Sequence, residues 1–448
     1  MRILIVAHGW TPETEGGAER VAFFQARELA KRHSVTVLHR VNRPGNPEYA
    51  FQEESNNGYR RFSINNTFKE RPNFRWLYRN PKIDDLLRTF LESERPDIVH
   101  MHHLTGLSTG LVPIAKSQGA RTAYTLHDFW TMCCRGQRLK PDLSWCEDCD
   151  EETCAQCTAG WIVPPIPGKQ KIPEEFKKIT SSLRTKAARW LGKSQTRYAL
   201  AAIRDRRAEM RMLLETVDVL TATSHYVQDI YAKAGYRNGR ILMVRDGMEP
   251  GIFENLPNRK ADPAGRLRIG YLGSVIPSKG VHVLIEAYSK LPQNQATLDI
   301  YGEAIPYDGY PNYGDDLRRE AATFPEIRFH GKYANQDVPG YLNAMDVLVL
   351  PSIWPENAPL TISEAFMARV PVVAAGWGGM QERLAHGGGM LFVPGRSESL
   401  AELLEYLIDN PHYLVKLQEG IPRVSSAADM APVWEQIYHE LLATAARN

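Results

Sequence analysis

Short apolar runs alternate with amphipathic helical patterns along the whole chain. The runs have the length and composition of buried strands, and they lie near residues 2–7, 34–39, 97–102, 121–126, 218–223, 241–244, 267–272, 296–301, 327–330, 346–350, 371–375 and 390–393. Helical spacing fills the intervals, as where Val281, Leu284 and Tyr288 share one face. This alternation predicts an α/β fold of two facing Rossmann-like domains, each with a parallel sheet flanked by helices.

A segment rich in Pro, Gly and charge at 246–265 predicts the boundary between the two domains. The expected units are a first domain, a second domain and a C-terminal amphipathic helix, at 1–245, 246–430 and 431–448. The first domain also carries a cysteine-rich insertion at 133–157 and a basic segment at 169–211. Open α/β sheets bind ligands at the carboxyl ends of their strands, so the cleft between the domains is the expected site.

Composition excludes several classes of protein. The chain has 448 residues, too many for one hydrophobic core, with 43% hydrophobic and 24% charged residues. A net charge of +2 does not indicate a nucleic-acid partner. The apolar start, MRILIVAHGW, is shorter than a signal peptide requires, and no run is long enough to span a bilayer. We therefore expect a cytoplasmic protein, attached at most to the inner surface of the cell membrane.

The strongest functional signal is a pair of carboxylates, Glu356 and Glu364, separated by seven residues. A strand ends near 352 and a helix is predicted from Pro359, so one carboxylate lies in the loop and the other in the first helical turn. The free N–H groups of that turn, near Leu360 and Thr361, suit a phosphate. The two carboxylates are suited to accept hydrogen bonds from hydroxyl groups. A ligand with phosphates between hydroxyl-rich groups is a nucleotide sugar.

This spacing, followed by EAFMARVPVVAA and the Gly378-Gly379 turn, resembles the family 4 retaining glycosyltransferases, which have the GT-B fold. The resemblance implies that Glu364 holds the ribose and that Glu356 faces the donor sugar. It also implies a C-terminal helix that crosses back to the first domain. The implied activity is transfer of a sugar from a nucleoside diphosphate sugar to a hydroxyl acceptor, in cell-surface polysaccharide or lipid-linked glycan synthesis.

A cation is predicted beside the diphosphate. In GYLGSVIPSKG, Lys279 precedes a helix and suits the diphosphate of the donor. Many family members have Arg where this chain has Ser274, which leaves Lys279 as the sole cation of the expected clamp. Cations and helix N-termini neutralise the leaving group in such enzymes, so no catalytic metal is expected. Asp148-Cys149-Asp150 follows no predicted strand and is discounted as a metal-binding motif.

The first domain presents glycines and histidines at its strand ends. Gly16 and Gly17 precede a helix, where the backbone can approach a ligand closely. His102, His103, His127 and Asp128 follow two predicted strands and suit hydrogen bonding to sugar or phosphate, or proton transfer. The family resemblance places Gly16-Gly17 near donor and acceptor, and His127 beside the acceptor and the transferred sugar. Asp128 and the other two histidines are candidates for the acceptor side.

All six cysteines lie between 133 and 157. Clustering in a cytosolic chain favours a metal over disulfides, and two C-x-x-C pairs, at 146/149 and 154/157, predict a structural zinc. A subgroup that this chain resembles implies a different ligand set. That preferred set is Cys133, Cys146, Cys154 and Cys157.

The sequence leaves more than one interpretation open for the basic segment and for the activity. Residues 169–211 contain 13 Lys or Arg against 4 Asp or Glu, which fits either a solvated helix pair packed on the first domain or an anionic surface contact. In the second case membrane lipid is favoured over nucleic acid. A nucleotide-sugar epimerase of the same architecture is an alternative function. A non-catalytic protein that binds sugar nucleotides is a third.

Overall fold

A computed structural model describes residues 1–54, 58–162, 181–236, 241–259 and 262–445, with residues 181–195 and 445 described by backbone only. The first domain contains an eight-stranded sheet of order β3-β4-β2-β1-β5-β6-β7-β8. Its strands are β1 (Arg2–Ala7), β2 (Ser34–Val41), β3 (Phe51–Glu54), β4 (Arg60–Asn65), β5 (Ile98–Met101), β6 (Arg121–Leu126), β7 (Val219–Ala222) and β8 (Leu242–Met243). All neighbours pair in parallel except β3, which is antiparallel to β4.

Helices cover both faces of this sheet. They are α1 (Gly17–Ala30), α2 (Pro81–Glu94), α3 (Leu111–Ser117), α4 (Glu151–Cys157), α5 (Ala159–Ile162), α6 (Ser181–Thr216) and α7 (His225–Lys233). Side chains before several helices satisfy the first free N–H groups. Asn80 accepts from Lys82 N and Ile83 N at the start of α2, and Asp150 accepts from Thr153 N at the start of α4.

The second domain contains a six-stranded parallel sheet of order β11-β10-β9-β12-β13-β14. Its strands are β9 (Leu267–Leu272), β10 (Ala296–Tyr301), β11 (Ile327–Gly331), β12 (Val347–Leu350), β13 (Val372–Ala375) and β14 (Gly389–Phe392). Its helices are α8 (Val281–Tyr288), α9 (Tyr313–Ala321), α10 (Val338–Asn343), α11 (Leu360–Met367), α12 (Gly378–Leu384), α13 (Ser397–Asp409) and α14 (Pro411–Glu419). The two sheets confirm the predicted fold class, two Rossmann-like domains.

The chain crosses between the domains twice, and the two crossings lie side by side. Met248 N donates to the carbonyl of Ser425 at 2.9 Å, and Ala427 N donates to the carbonyl of Met248 at 2.7 Å. After the second crossing α15 (Ala427–Ala445) packs on α1 of the first domain. Tyr438 Oη lies 2.7 Å from His100 Nδ1 in that interface. Within the described ranges, no helix is both long and apolar enough to cross a membrane.

The structure differs from the sequence-based expectation at the edge of the first sheet, and it describes part of the basic segment. Strands β3 and β4 were not expected, because their sequences, FQEE and RRFSIN, are largely polar. Residues 181–211 of the basic segment belong to one helix, α6, which continues to residue 216. Residues 169–180 of that segment lie outside the described residues. Leu213 and Leu214 of α6 are buried in the first-domain core.

Candidate functional site

A cavity of about 460 Å³ lies between the two domains, at the carboxyl ends of their strands. Most residues that the sequence singled out line it together. They are Gly16, Gly17, His103, His127, Asp128, Ser274, Lys279, Glu356, Leu360, Thr361 and Glu364. His102 lies behind this wall and is fully buried. The volume and the convergence of polar groups are those of a small-molecule site.

An ion pair fixes Glu356 on the second-domain wall. Lys279 Nζ lies 2.7 Å from Glu356 Oε2, and the hydroxyl of Ser352 donates to Glu356 Oε1. Gly280 follows Lys279 with a φ of 71°, and a Cβ there would lie 1.9 Å from the carbonyl oxygen of Pro351. Only glycine fits this close approach. It brings the turn that carries Lys279 against the loop that leads to Glu356.

The helix that carries Glu364 starts at the cavity. Its N-cap residue, Pro359, provides no side-chain hydrogen bond, so the N–H groups near Leu360 and Thr361 have no side-chain cap. Glu364 is 2% exposed and pairs with Arg20 of the first domain, Nη1 to Oε1, at 2.6 Å. The first turn of α11 offers N–H donors to an anion. Glu364 was expected in that turn but is the fifth residue of the helix, just beyond it, where it offers a buried carboxylate to hydroxyl groups.

The loop between these two carboxylates also contacts the first domain. Asn357 Nδ2 donates to the carbonyls of Leu126, at 2.9 Å, and His127, at 3.1 Å. On the other side of the loop, a Cβ on Gly379 would lie 1.3 Å from the carbonyl oxygen of Asn357. Gly378 and Gly379, at the start of α12, therefore let this helix pack closely against the loop. Glu356 and His127, from different domains, line the same cavity.

His127 is held neutral by its surroundings. Its Nε2 lies 2.9 Å from Nδ1 of His102, so one imidazole donates to the other. Burial, with a smaller contribution from the nearby His103, lowers the pKa of His127 to about 3. At neutral pH this side chain is therefore an uncharged hydrogen-bonding group rather than a proton donor with a positive charge.

A second polar cluster extends the first-domain wall. His103 Nε2 lies 3.4 Å from Asp128 Oδ2, and its ring lies 4.3 Å from the ring of His8. His8 Nε2 in turn lies 3.1 Å from Glu19 Oε1. Burial alone would raise the pKa of Asp128, but the contact with His103 keeps it below its usual value. Burial raises the pKa of Glu19 and lowers that of His8.

Several of these residues carry no role in the sequence-based predictions. Glu19 and Arg20 follow Gly17 after one intervening alanine, so their place in the first turn of a cleft-facing helix was a usable signal. His8 follows β1 in the same way. Asn357 carried no comparable signal, because its partners come from the other domain.

Two buried polar atoms in the cavity wall point to a ligand. Trp354 Nε1 and Thr223 Oγ1 both belong to buried side chains that line the cavity. Neither atom has a hydrogen-bond partner among the described residues. Buried donors and hydroxyls are almost always paired in folded proteins, so each is a position where a ligand or water is expected to bind.

Four cysteines, Cys133, Cys146, Cys149 and Cys154, are buried in the first-domain core. The Sγ atoms of Cys146 and Cys149 lie 3.4 Å apart, and Cys154 Sγ lies 3.4 Å from the carbonyl oxygen of Cys149. Cys157 is half-buried, and all six cysteines are free thiols. In the part of the chain that the structure describes, no three or more Cys, His, Asp or Glu side chains form a group that could hold a metal. The predicted zinc and its ligand set stay predictions.

The cysteine-rich insertion also bridges the two domains. Arg135 Nη1 lies 2.6 Å from Asp308 Oδ2 of the second domain. Tyr307 Oη donates to Gln137 Oε1 at 3.1 Å, and Gln137 lines the cavity. The insertion therefore forms part of the cavity rim.

Two family models match the chain, one in each domain. The model described as Glycosyltransferase Family 4 matches residues 15–159. The model described as Glycosyl transferases group 1 matches residues 253–423. The two matches include the Gly16-Gly17 loop, the cysteine-rich insertion and the two carboxylates of the cavity.

Among curated proteins, the chain is similar to a GDP-mannose-dependent alpha-(1-6)-phosphatidylinositol monomannoside mannosyltransferase of Mycobacterium tuberculosis. The two are 27% identical over 218 residues, which are 44% of this chain and 55% of the relative. The chain thus spans about half the length of this curated relative.

Solved structures of the same shape cover nearly the whole chain. Sucrose-phosphate synthase from Thermosynechococcus elongatus matches with a TM-score of 0.69 at 18% identity, over 99% of both chains. Anabaena HepE in complex with UDP matches with a TM-score of 0.57 at 18% identity, over 100% of this chain and 99% of that one. At this identity the likeness shows the fold alone, which is the GT-B arrangement. The family matches in both domains, together with this fold, support a family 4 glycosyltransferase.

Proposed function

We propose that this protein is a retaining glycosyltransferase that moves a sugar from a nucleoside diphosphate sugar to a hydroxyl group of an acceptor. The observation that carries the proposal is the interdomain cavity, in which a helix N-terminus, Lys279 and two buried carboxylates face Gly16-Gly17 and His127. The named relative and the UDP complex of a protein with this fold support the same substrate class.

The donor site is assigned to the second-domain wall. Glu364 accepts hydrogen bonds from the ribose hydroxyls, and Glu356 accepts them from the sugar. Lys279 and the N–H groups near Leu360 and Thr361 bind the diphosphate. Charge that develops on the departing diphosphate is then stabilised by groups already aimed at it, without a catalytic metal.

The acceptor site is assigned to the first-domain wall. The acceptor hydroxyl approaches past Gly16-Gly17, beside His127, with His103 and Asp128 around it and His102 orienting His127 from behind. Closure of the two domains excludes water and brings this hydroxyl to the sugar. Front-face attack, with retention of the anomeric configuration, is the proposed course.

Three finer assignments accompany this proposal. A structural zinc is held in the insertion by Cys133, Cys146, Cys154 and Cys157, where clustered thiols provide the soft donors that zinc prefers. The basic segment 169–211 attaches the protein to anionic lipid at the inner face of the membrane. The acceptor belongs to a cell-surface polysaccharide or a lipid-linked glycan, as the phosphatidylinositol-based acceptor in the relative's name suggests.

The test is an assay of the purified protein with UDP-, GDP- and ADP-sugars, with and without a panel of glycan and lipid-linked acceptors. Transfer is expected only when donor and acceptor are both present, and the product should keep the anomeric configuration of the donor. Formation of an epimer from the donor alone would support the epimerase alternative, which the transferase matches disfavour. Tight donor binding without turnover on any acceptor would support a binding protein.

A further inference from the structure

Among the described residues that line the cavity, acidic side chains outnumber Lys and Arg side chains. Among the described residues that line it, the carboxylates are Glu15, Glu19, Asp128, Asp246, Glu356 and Glu364. The Lys and Arg side chains in the same set are Lys279 and Arg20. Ser274 on the second-domain wall supplies no charge. A diphosphate brings further negative charge into this cavity, so Lys279 alone, already paired with Glu356 at 2.7 Å, is a weak counterion for it.

Arg20 reaches this place from the opposite domain. It lies in the first turn of α1, three residues after Gly17, and its guanidinium crosses the cleft to Glu364 at 2.6 Å. The next residue, Val21, packs on Leu360 in a small apolar cluster between the domains. The N-terminal ends of α1 and α11 are therefore in contact, and Arg20 lines the same cavity as the N–H groups of Leu360 and Thr361 that are assigned to the diphosphate.

The guanidinium retains donors for a second anion. Among the described residues, its ion pair with Glu364 uses Nη1 alone, and its Cζ lies 5.7 Å from the centre of the Phe24 ring. The planar fork of an arginine can bind a carboxylate with one edge and phosphate oxygens with another. The side chain is 11% exposed, so an anion bound there would be largely shielded from water.

We propose that Arg20 is the second diphosphate-binding cation of the donor site, supplied by the first domain. This rests on the proposed function, because it assumes that the cavity binds a nucleoside diphosphate. Lys279 binds the diphosphate from one wall and Arg20 from the other. Ribose hydroxyls compete with Arg20 for Glu364, which frees the guanidinium for phosphate. The donor is then bound by both domains and favours the closed cleft.

The experiment compares affinities for UDP, GDP and ADP, and for the matching nucleosides, by calorimetry at low and high salt. Arg20→Ala is expected to weaken binding of the preferred diphosphate by about tenfold or more and to reduce the salt dependence. Affinity for the nucleoside should hold or rise, because Glu364 loses its competitor. Arg20→Lys should restore part of the loss.

Two further variants keep the test decisive. Arg20→Gln removes the charge but keeps a polar side chain of intermediate length, so it replaces Arg20→Ala if that variant fails to fold, and it should show the same selective loss. Arg32→Ala removes a cation that pairs with Glu435 at 3.0 Å just after α1, and it should bind like the wild type.

The outcomes separate this inference from the function it rests on. If the wild type binds none of the three diphosphates, the proposed function fails and the role of Arg20 fails with it. If the wild type binds one of them and the Arg20 variants bind it equally well, only the role of Arg20 is overturned. An equal loss for nucleoside and diphosphate would also overturn it, since Arg20 would then act only by positioning Glu364.

Discussion

Glu356 is the carboxylate whose orientation is most tightly fixed in the cavity. It is 6% exposed, and each of its oxygens has a partner, Lys279 on one side and Ser352 on the other. This arrangement leaves the carboxylate a fixed hydrogen-bond acceptor rather than a mobile charge. A sugar bound against it would be oriented by a group that does not need to reorganise during the reaction.

Glu356→Gln is expected to lower the rate of sugar transfer by about 100-fold or more, because the amide keeps the shape and removes the charge. Product formation from the preferred donor and acceptor measures this loss. Glu402→Gln changes an exposed glutamate of α13 in the same way and should leave the rate unchanged. Near-normal turnover in the folded Glu356 variant would show that the donor sugar binds elsewhere.

The predicted zinc site can be tested by substituting single cysteines. Metal analysis of the purified protein should give about one zinc per chain, and Cys154→Ser should abolish it, since Cys154 belongs to both candidate ligand sets. Loss of zinc in Cys133→Ser with retention in Cys149→Ser would support the proposed set. The opposite pattern would favour the two C-x-x-C pairs, in agreement with the short distance of 3.4 Å between Cys146 Sγ and Cys149 Sγ.

At the scale of elements, α12 supports the loop that carries Glu356. Gly379 approaches the carbonyl of Asn357 so closely that a Cβ would lie 1.3 Å from that oxygen. Backbone atoms cannot yield as the end of a flexible side chain can. The helix or the loop would therefore have to move, and Glu356 and Asn357 would move with it.

Gly379→Ala is expected to destabilise the protein by about 2 kcal/mol or more, as overpacking against a backbone does. Gly340→Ala, in α10, meets nothing within 4 Å and should be neutral or slightly stabilising, because alanine favours helix. Thermal unfolding of the two variants beside the wild type gives the comparison. Equal melting temperatures for the two would mean that this close approach does not exist in solution.

The strands were predictable because parallel strands are buried on both faces and appear as continuous apolar runs. Strands β3 and β4 were missed because they form the edge of the sheet, where one face is exposed to solvent and polar residues interrupt the apolar run. The start of α11 and the turn at Lys279 were predictable from local signals, namely proline, glycine and the preceding strand. Asn357 could not be assigned, because its partners lie in the other domain. The position of Arg20 in the first turn of α1 was a usable signal for the cleft, but not for its contact with Glu364 of the other domain.

At the scale of the whole molecule, the buried histidines of the first domain couple its stability to pH. Burial lowers the pKa of His100 and of His127 to about 3. The unfolded chain binds these protons at its usual pKa of about 6.5, more readily than the folded protein does. Stability is therefore complete above about pH 6.5 and declines as the pH falls towards 3.

Between about pH 7.5 and pH 5.5 each such imidazole should lower the free energy of unfolding by up to about 1.4 kcal/mol per pH unit. Asp246 acts in the opposite direction over this range, because burial raises its pKa to about 7, so the contribution of a histidine is measured by comparing a variant with the wild type. His100→Gln removes one of them while keeping a side chain that can hydrogen-bond to Tyr438, and its pH dependence should be shallower. The same pH dependence of the melting temperature in His100→Gln and in the wild type would contradict the buried, neutral state of His100.

The paired crossings near Met248 and Ala427 constrain how the two lobes can separate. Two covalent connections joined by hydrogen bonds define a line, and the lobes can swing about it without stretching either connection. Rotation of the lobes about an axis perpendicular to this line would stretch the two connections. The two lobes can therefore open most easily by rotation about this line, which would admit substrates and release products. Helix α15 attaches the second connection to the first domain by packing on α1.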